Sequence, residues 1–217
     1  MNSVEYAKKG LISMYVTNKQ MYHFKNNNHY NEIWQPGNEI TIDDNYLSAF
    51  YQNCLYSTPS VITKDNKEVT FYKIIDNYLK EEQNSETYIR LLKEASIILK
   101  NYANTKRELV LEEYRKKFYP NLPSRKNSIW LATEKQLDFW EKTLLLKETK
   151  GKLFKVEVTG NLFKSSDLYI PDDELSVKEI YEYAEKYWNP NLTNIDEEKT
   201  EYLFQGNLKI LTLEKQY

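Results

Sequence analysis

The chain has one cysteine, two histidines and five glycines among 217 residues, and each scarcity excludes a class of chemistry. Cys54 alone can form no internal disulfide and no cysteine-type zinc site; it reads as a small apolar residue rather than a nucleophile. The few glycines compose neither a Walker nor a Rossmann phosphate loop, and no Gly-x-Ser-x-Gly elbow supports a serine hydrolase. His29 follows His23 by six residues in an Asn-rich stretch with no third ligand at usable spacing, so no metal is assigned. No run approaches the ~20 apolar residues of a membrane span, and no basic segment followed by an apolar one opens the chain. The expectation is a cytoplasmic protein without membrane contact. A net charge of -2 and a pI of 5.9 offer no long-range attraction to a polyanion. The best basic patch, Arg115, Lys116, Lys117, Arg125 and Lys126, reads as a solvated helix end whose cations favour the dipole.

Aromatic surface is what the chain has in plenty. Nineteen Tyr, eight Phe and four Trp supply large buried area despite a mean hydropathy of -0.74, and the length suits a single domain over 1–217. Ser3 to Tyr15 has near-helical spacing and reads as a short leading helix. Met21 to Phe24 reads as a strand ending in the Asn-rich turn at Asn26 to Asn28. Pro36-Gly37 signals a turn into an extended Glu39 to Ile42, and Asp43, Asp44 and Asn45 are placed to cap a helix over Tyr46 to Leu55. From Val69 to Phe118 the spacing is almost wholly helical: Ile89, Leu92, Ala95, Ile98, Leu99 and Tyr102 share one stripe, and Val110, Tyr114 and Phe118 follow. This block, stopped by Pro120 and Pro123, reads as an insertion packed beside a sheet or as a partner-binding surface.

The C-terminal half is richer in strands. Ile129 to Ala132 is extended, Thr133 to Leu146 helical, and Lys152 to Thr159 a strand with one wet face that Gly160 ends. Asp172, Asp173 and Ser176 precede a helix over Val177 to Trp188. Glu201 opens an extended segment in which Leu203, Gly206, Leu208, Ile210 and Leu211 carry the apolar face, with Gln205-Gly206-Asn207 as a turn between two pieces. Strands and helices alternate irregularly, which argues for α+β rather than a doubly wound sheet.

Three segments carry the candidate chemistry: Met21-Tyr22-His23-Phe24, Ser128-Ile129-Trp130-Leu131-Ala132, and Glu201-Tyr202-Leu203-Phe204. Histidine strand, aromatic strand followed by a helix, and glutamate strand in this order resemble the H-Y-E arrangement of the ADP-ribosyltransferase superfamily, in the lineage of the poly(ADP-ribose) polymerases, and an uncharacterised bacterial family related to them. The chain departs from that pattern at Trp130, where tyrosine is usual, and at Phe24-Lys25, where the polymerases carry Gly-Ser. The resemblance implies a split β-sandwich with the helical block 69–118 as an insertion, and NAD as a substrate. It further implies a protein or nucleic-acid acceptor, with a toxin or defence role and an antitoxin or immunity partner in view. It assigns Glu201 as the catalytic carboxylate and His23 to the adenosine-side ribose; by their own chemistry Trp130 offers a face to the nicotinamide or simply packs in the core, Ser128 a hydroxyl to the carboxamide or ribose or no contact at all, and Arg125 a planar fork to the pyrophosphate or a plain surface charge. Two other readings stand beside it: a degenerate domain of the same fold that binds without turnover, and an RNA-acting phosphotransferase-like protein supported by the basic patch alone.

Overall fold

Inward-facing residues recur at every second position in two long strands, and that period builds the core. Phe154, Val156, Val158 and Leu162 of one strand meet Tyr202, Phe204, Leu208 and Ile210 of the other in a single apolar cluster. The inward positions left over are Gly160 and Gly206, which face each other across the ladder. Their φ values are +157° and +146°. A Cβ on either would strike a carbonyl of the opposite strand and come within 2.7 Å of the other glycine's Cα. The pair lets the two strands press together where the sheet curls. Gly160 therefore does not end a strand, and Gln205-Gly206-Asn207 is not a turn: both strands run straight through.

The computed structural model describes residues 13–26, 33–56, 60–62, 66–80, 85–144, 146–171, 175–189 and 196–217. In order they form β1 (Ser13–Lys25), β2 (Glu39–Ile42), α1 (Ala49–Tyr56), β3 (Ser60–Ile62), β4 (Glu68–Thr70), α2 (Phe71–Tyr78), α3 (Ser85–Phe118), β5 (Ile129–Leu131), α4 (Leu137–Thr143), α5 (Leu146–Thr149), β6 (Lys152–Ser166), α6 (Val177–Trp188) and β7 (Thr200–Gln216). This is a mixed α and β architecture compatible with α+β. One curled antiparallel sheet runs β1-β6-β7-β2, and β5 also pairs with β7. A bridge between Tyr22 and Ala132 brings β5 back to β1, so the sheet curls into a half-barrel. The hairpin β3–β4 forms a separate two-stranded sheet that the sequence had not suggested.

Ser13, Met14 and Tyr15, assigned above to a leading helix, belong to β1; the rest of that segment lies outside the described residues, as do His29, Asp172 and Asp173. β1 is long because Asn18, at φ +50°, absorbs a bulge where the register with β6 shifts between Val16 and Lys19. The helix expected from Tyr46 starts later, at Ala49. Asp43 spends its carboxylate on a turn, accepting from the amides of Asn45 and Tyr46, and Ser48 Oγ accepts from Tyr51 one turn into the helix. The helix expected over Thr133 to Leu146 is broken into a 3-10 turn at Glu134–Gln136 followed by α4 and α5. α6 has the predicted bounds, and its capping box joins Ser176 to Glu179.

The outer face of the sheet carries a second core. Phe163 and Leu203 meet Ala184, Tyr187 and Trp188 of α6 and Leu111 of α3. Trp188 Nε1 donates to the Leu111 carbonyl at 2.8 Å, fastening the two helices. Trp130 pairs in register with Leu203 and packs against this outer cluster, on the same side of β7 as Glu201.

Candidate functional site

A cavity of about 540 Å³ opens where the ends of β1, β5 and β7 approach α1 and the loop before β5. That size lies within the roughly 300–1,000 Å³ of ordinary small-molecule sites. His23, Arg125, Ser128, Trp130 and Glu201 all line it, as do Trp34, Phe50, Trp140 and Asp167. Its walls come from the five-stranded sheet and from helices and loops, not from a cleft between two sheets. Residues 107 positions apart, His23 and Trp130, are tied directly by a hydrogen bond.

One side of the cavity holds a buried ionic cluster. Arg125 precedes β5 and is 4% exposed. It grips Glu108 of α3 with two arms, Nε to Oε2 at 2.8 Å and Nη2 to Oε1 at 3.2 Å. Its Nη1 donates to Glu201 Oε1 at 2.5 Å and to the Tyr187 hydroxyl at 2.6 Å. The Tyr187 hydroxyl in turn donates to the same Glu201 oxygen. Tyr51 completes the group by donating to Glu108 Oε2 at 2.9 Å. The guanidinium lies beside two rings, Trp130 at 5.3 Å and Tyr187 at 4.9 Å.

These contacts set the charges. Burial pushes the Glu108 carboxyl up, but the charge and fork of Arg125 outweigh it and hold it below its ordinary range. For Glu201 burial prevails: Arg125 and the Tyr187 hydroxyl pull its pKa down, Asp167 and Glu108 push it up, and the net shift is upward. Arg125 is held well above its ordinary value because its two carboxylate partners outweigh desolvation.

The opposite side is mainly aromatic, with Lys25 beside it. His23 stacks on Trp34 with centroids 4.4 Å apart, and its Nδ1 donates to the Trp130 carbonyl at 2.9 Å. A carbonyl can only accept, so Nδ1 carries the proton and Nε2 is left as the acceptor. Burial lowers the pKa to about 4, the bond to Trp130 opposing and nearby Lys25 adding to the fall. Trp130 meets Phe50 edge-on at 6.3 Å. Ser128 Oγ is fully buried, lines the cavity, and is a buried side-chain oxygen without a hydrogen-bond partner among the described residues. Such an atom costs free energy until something satisfies it.

All five residues singled out in the sequence thus meet on one cavity, but their settings differ from those expected. Arg125 is not a surface fork awaiting phosphate, since its donors already serve Glu108, Glu201 and Tyr187. The basic patch loses a second member too: Arg115 is 8% exposed, grips Glu112, and donates to the Pro120 and Leu122 carbonyls past the end of α3. Glu108, Tyr187, Tyr51 and Trp34 escaped sequence reasoning. In Lys106-Arg107-Glu108-Leu109 a charged run resembles a solvated helix face, and nothing local marks Glu108 as internal.

Fold and site together define a mixed α and β protein whose half-barrel sheet carries an aromatic-walled cavity with a buried ionic cluster on one flank and His23 stacked on Trp34 on the other. The chain belongs to the family described as "Protein of unknown function (DUF2441)", which matches residues 21–216 and so spans all five of these residues. No curated protein matches it.

Proposed function

We propose that this protein is an NAD-dependent ADP-ribosyltransferase, acting in the cytoplasm on a protein or nucleic-acid acceptor. The observation that carries the reading is the meeting of His23, Trp130 and Glu201, from three separate strands, on one cavity. In this chemistry the bond between ribose C1′ and the nicotinamide nitrogen breaks, and nicotinamide leaves with the electron pair. The acceptor's nucleophile then attacks C1′ and gives up its proton. The sugar passes through an oxocarbenium-like state, so a carboxylate beside it stabilises the transition state more than the ground state. Glu201 is that carboxylate, His23 Nε2 accepts from a ribose hydroxyl, and the aromatic wall at Trp130 orients the nicotinamide. Ser128 Oγ gains from a ligand amide or hydroxyl the partner it otherwise lacks.

Incubating the protein with NAD and separating nicotinamide from the products tests the proposal. Glu201→Gln should bind NAD with near-unchanged affinity while turnover falls by about 10² to 10³. Equal turnover in a folded Glu201→Gln protein would refute the mechanism. One observation favours a second reading, a domain of this fold that binds nucleotide without turnover: Glu201 Oε1 is already occupied by Arg125 and Tyr187. Saturable NAD binding with no nicotinamide released would select it.

A further inference from the structure

Two bonds fall on one oxygen of Glu201. Arg125 Nη1 and the Tyr187 hydroxyl both meet Oε1, and among the described residues no donor meets Oε2. Arg125 is itself immobilised, because Glu108 takes its Nε and Nη2 in a two-point grip and Tyr51 fixes Glu108 from the other side. Tyr187 is equally constrained: its side chain is fully buried, and its backbone carbonyl accepts from Ser165 Oγ at 2.8 Å, on the residue that pairs with Glu201 in the ladder. The carboxylate of a residue near the start of β7 is therefore oriented from α3, α6 and the loop before β5 together.

We propose that Glu108 and Tyr187 are positioning residues for Glu201: they hold Oε1 against the protein, directly or through Arg125, so that Oε2 alone is offered to a hydroxyl of the ligand in the cavity. What Oε2 does there rests on the transferase reading; how the carboxylate is held does not. Neither residue touches the ligand. The charged and titratable groups facing Glu201 are Arg125 from the loop, Tyr187 from α6, Glu108 from α3 and Asp167 from the turn after β6. Two of them act on its proton with opposite sign: the Tyr187 hydroxyl favours the ionised carboxylate, whereas Glu108 disfavours it and also shares the Arg125 charge.

The test is a carboxyl-carbon NMR titration of Glu201 in the full chain, beside the pH profile of NAD turnover, for wild type, Tyr187→Phe and Glu108→Gln. Tyr187→Phe should move the Glu201 titration to higher pH and Glu108→Gln to lower pH, and the acid limb of kcat should follow in the same two directions. KM for NAD should change less than about threefold while kcat falls at least tenfold. A purely structural role predicts no such opposed shifts. A Glu201 titration unmoved in folded Tyr187→Phe overturns the proposal; that variant removes one oxygen and decides the matter if Glu108→Gln does not fold. Opposed shifts in a protein that releases no nicotinamide would support the positioning and refute the transferase reading alone.

Discussion

The two halves of α3 invert the usual rule of burial. Its C-terminal half buries Glu108, Glu112 and Arg115 with Val110 and Leu111, while its N-terminal half exposes Tyr88, Ile89, Leu92, Ile97 and Leu99. Glu108 is 1% exposed and Leu92 70%. The helix extends about 50 Å, further than its neighbours reach. It packs against α6 and α1, and its buried residues all fall between Glu108 and Arg115. Where neighbours exist, even charged side chains go inside, provided an opposite charge offsets their desolvation. Where the described residues supply none, most of an apolar stripe stays exposed. Burial on this helix follows what lies opposite each residue more than what the residue is.

Arg125 is where the buried charges are most vulnerable. Arg125→Met strips Glu201 of its cation and leaves Glu108 only the longer 3.4 Å pairing with Arg107, and stability to denaturant should fall by about 3–5 kcal/mol. Apolar truncation should separate the two halves next. Leu111→Ala, in the half that packs, should cost about 2–5 kcal/mol in chemical unfolding. A smaller loss would mean that the contact with Trp188 and Phe163 is looser than its burial implies.

His23 sharpens the contrast between paired and unpaired burial. Its pKa stands at about 4, against 6.5 for an ordinary histidine, because burial disfavours the imidazolium. The unfolded chain takes up this proton near pH 6.5 and the folded chain only near 4, so the unfolded state binds more protons in between. Stability from this group is complete above pH 6.5 and drains as pH falls toward 4, by about 3 kcal/mol. His23→Gln should flatten that part of the curve of stability against pH, and an unchanged slope would show that another group titrates there. The smallest effect belongs to the exposed half of α3: Leu92→Ala and Leu99→Ala should each change stability by less than about 0.5 kcal/mol. A larger loss would reveal a packing partner for that stripe.

How much could be read in advance differs from element to element. β2, β5 and α6 were legible because their signals are local: Pro36-Gly37 ahead of Glu39–Ile42, a Ser/Asn loop ahead of Ile129, and the Ser176-Glu179 box. β6 and β7 were cut short because glycine inside a strand has the same local look as glycine at its end. Their continuation is visible only once Gly160 is seen to face Gly206. The stripe at Ile89, Leu92, Ala95, Ile98, Leu99 and Tyr102 had the period of a core face, yet only Ala95 and Ile98 are half-buried and the other four lie exposed, since periodicity records where apolar residues align and not whether anything meets them.

The site divides in the same way. By itself the sequence determined that His23, Ser128, Trp130 and Glu201 sit on extended segments, or at the start of one, because alternation and flanking loop residues act over a few positions. The tertiary structure alone decided that Arg125 is internal, that Glu108 on a charged helix turn and Tyr187 on an apolar stripe are its partners, and that Glu201 is held through one oxygen. Arg125 and Glu201 lie 76 positions apart, and His23 and Trp130 107. Desolvation and hydrogen bonding across such separations depend on which surfaces the folded sheet and helices bring face to face, and no local pattern encodes that.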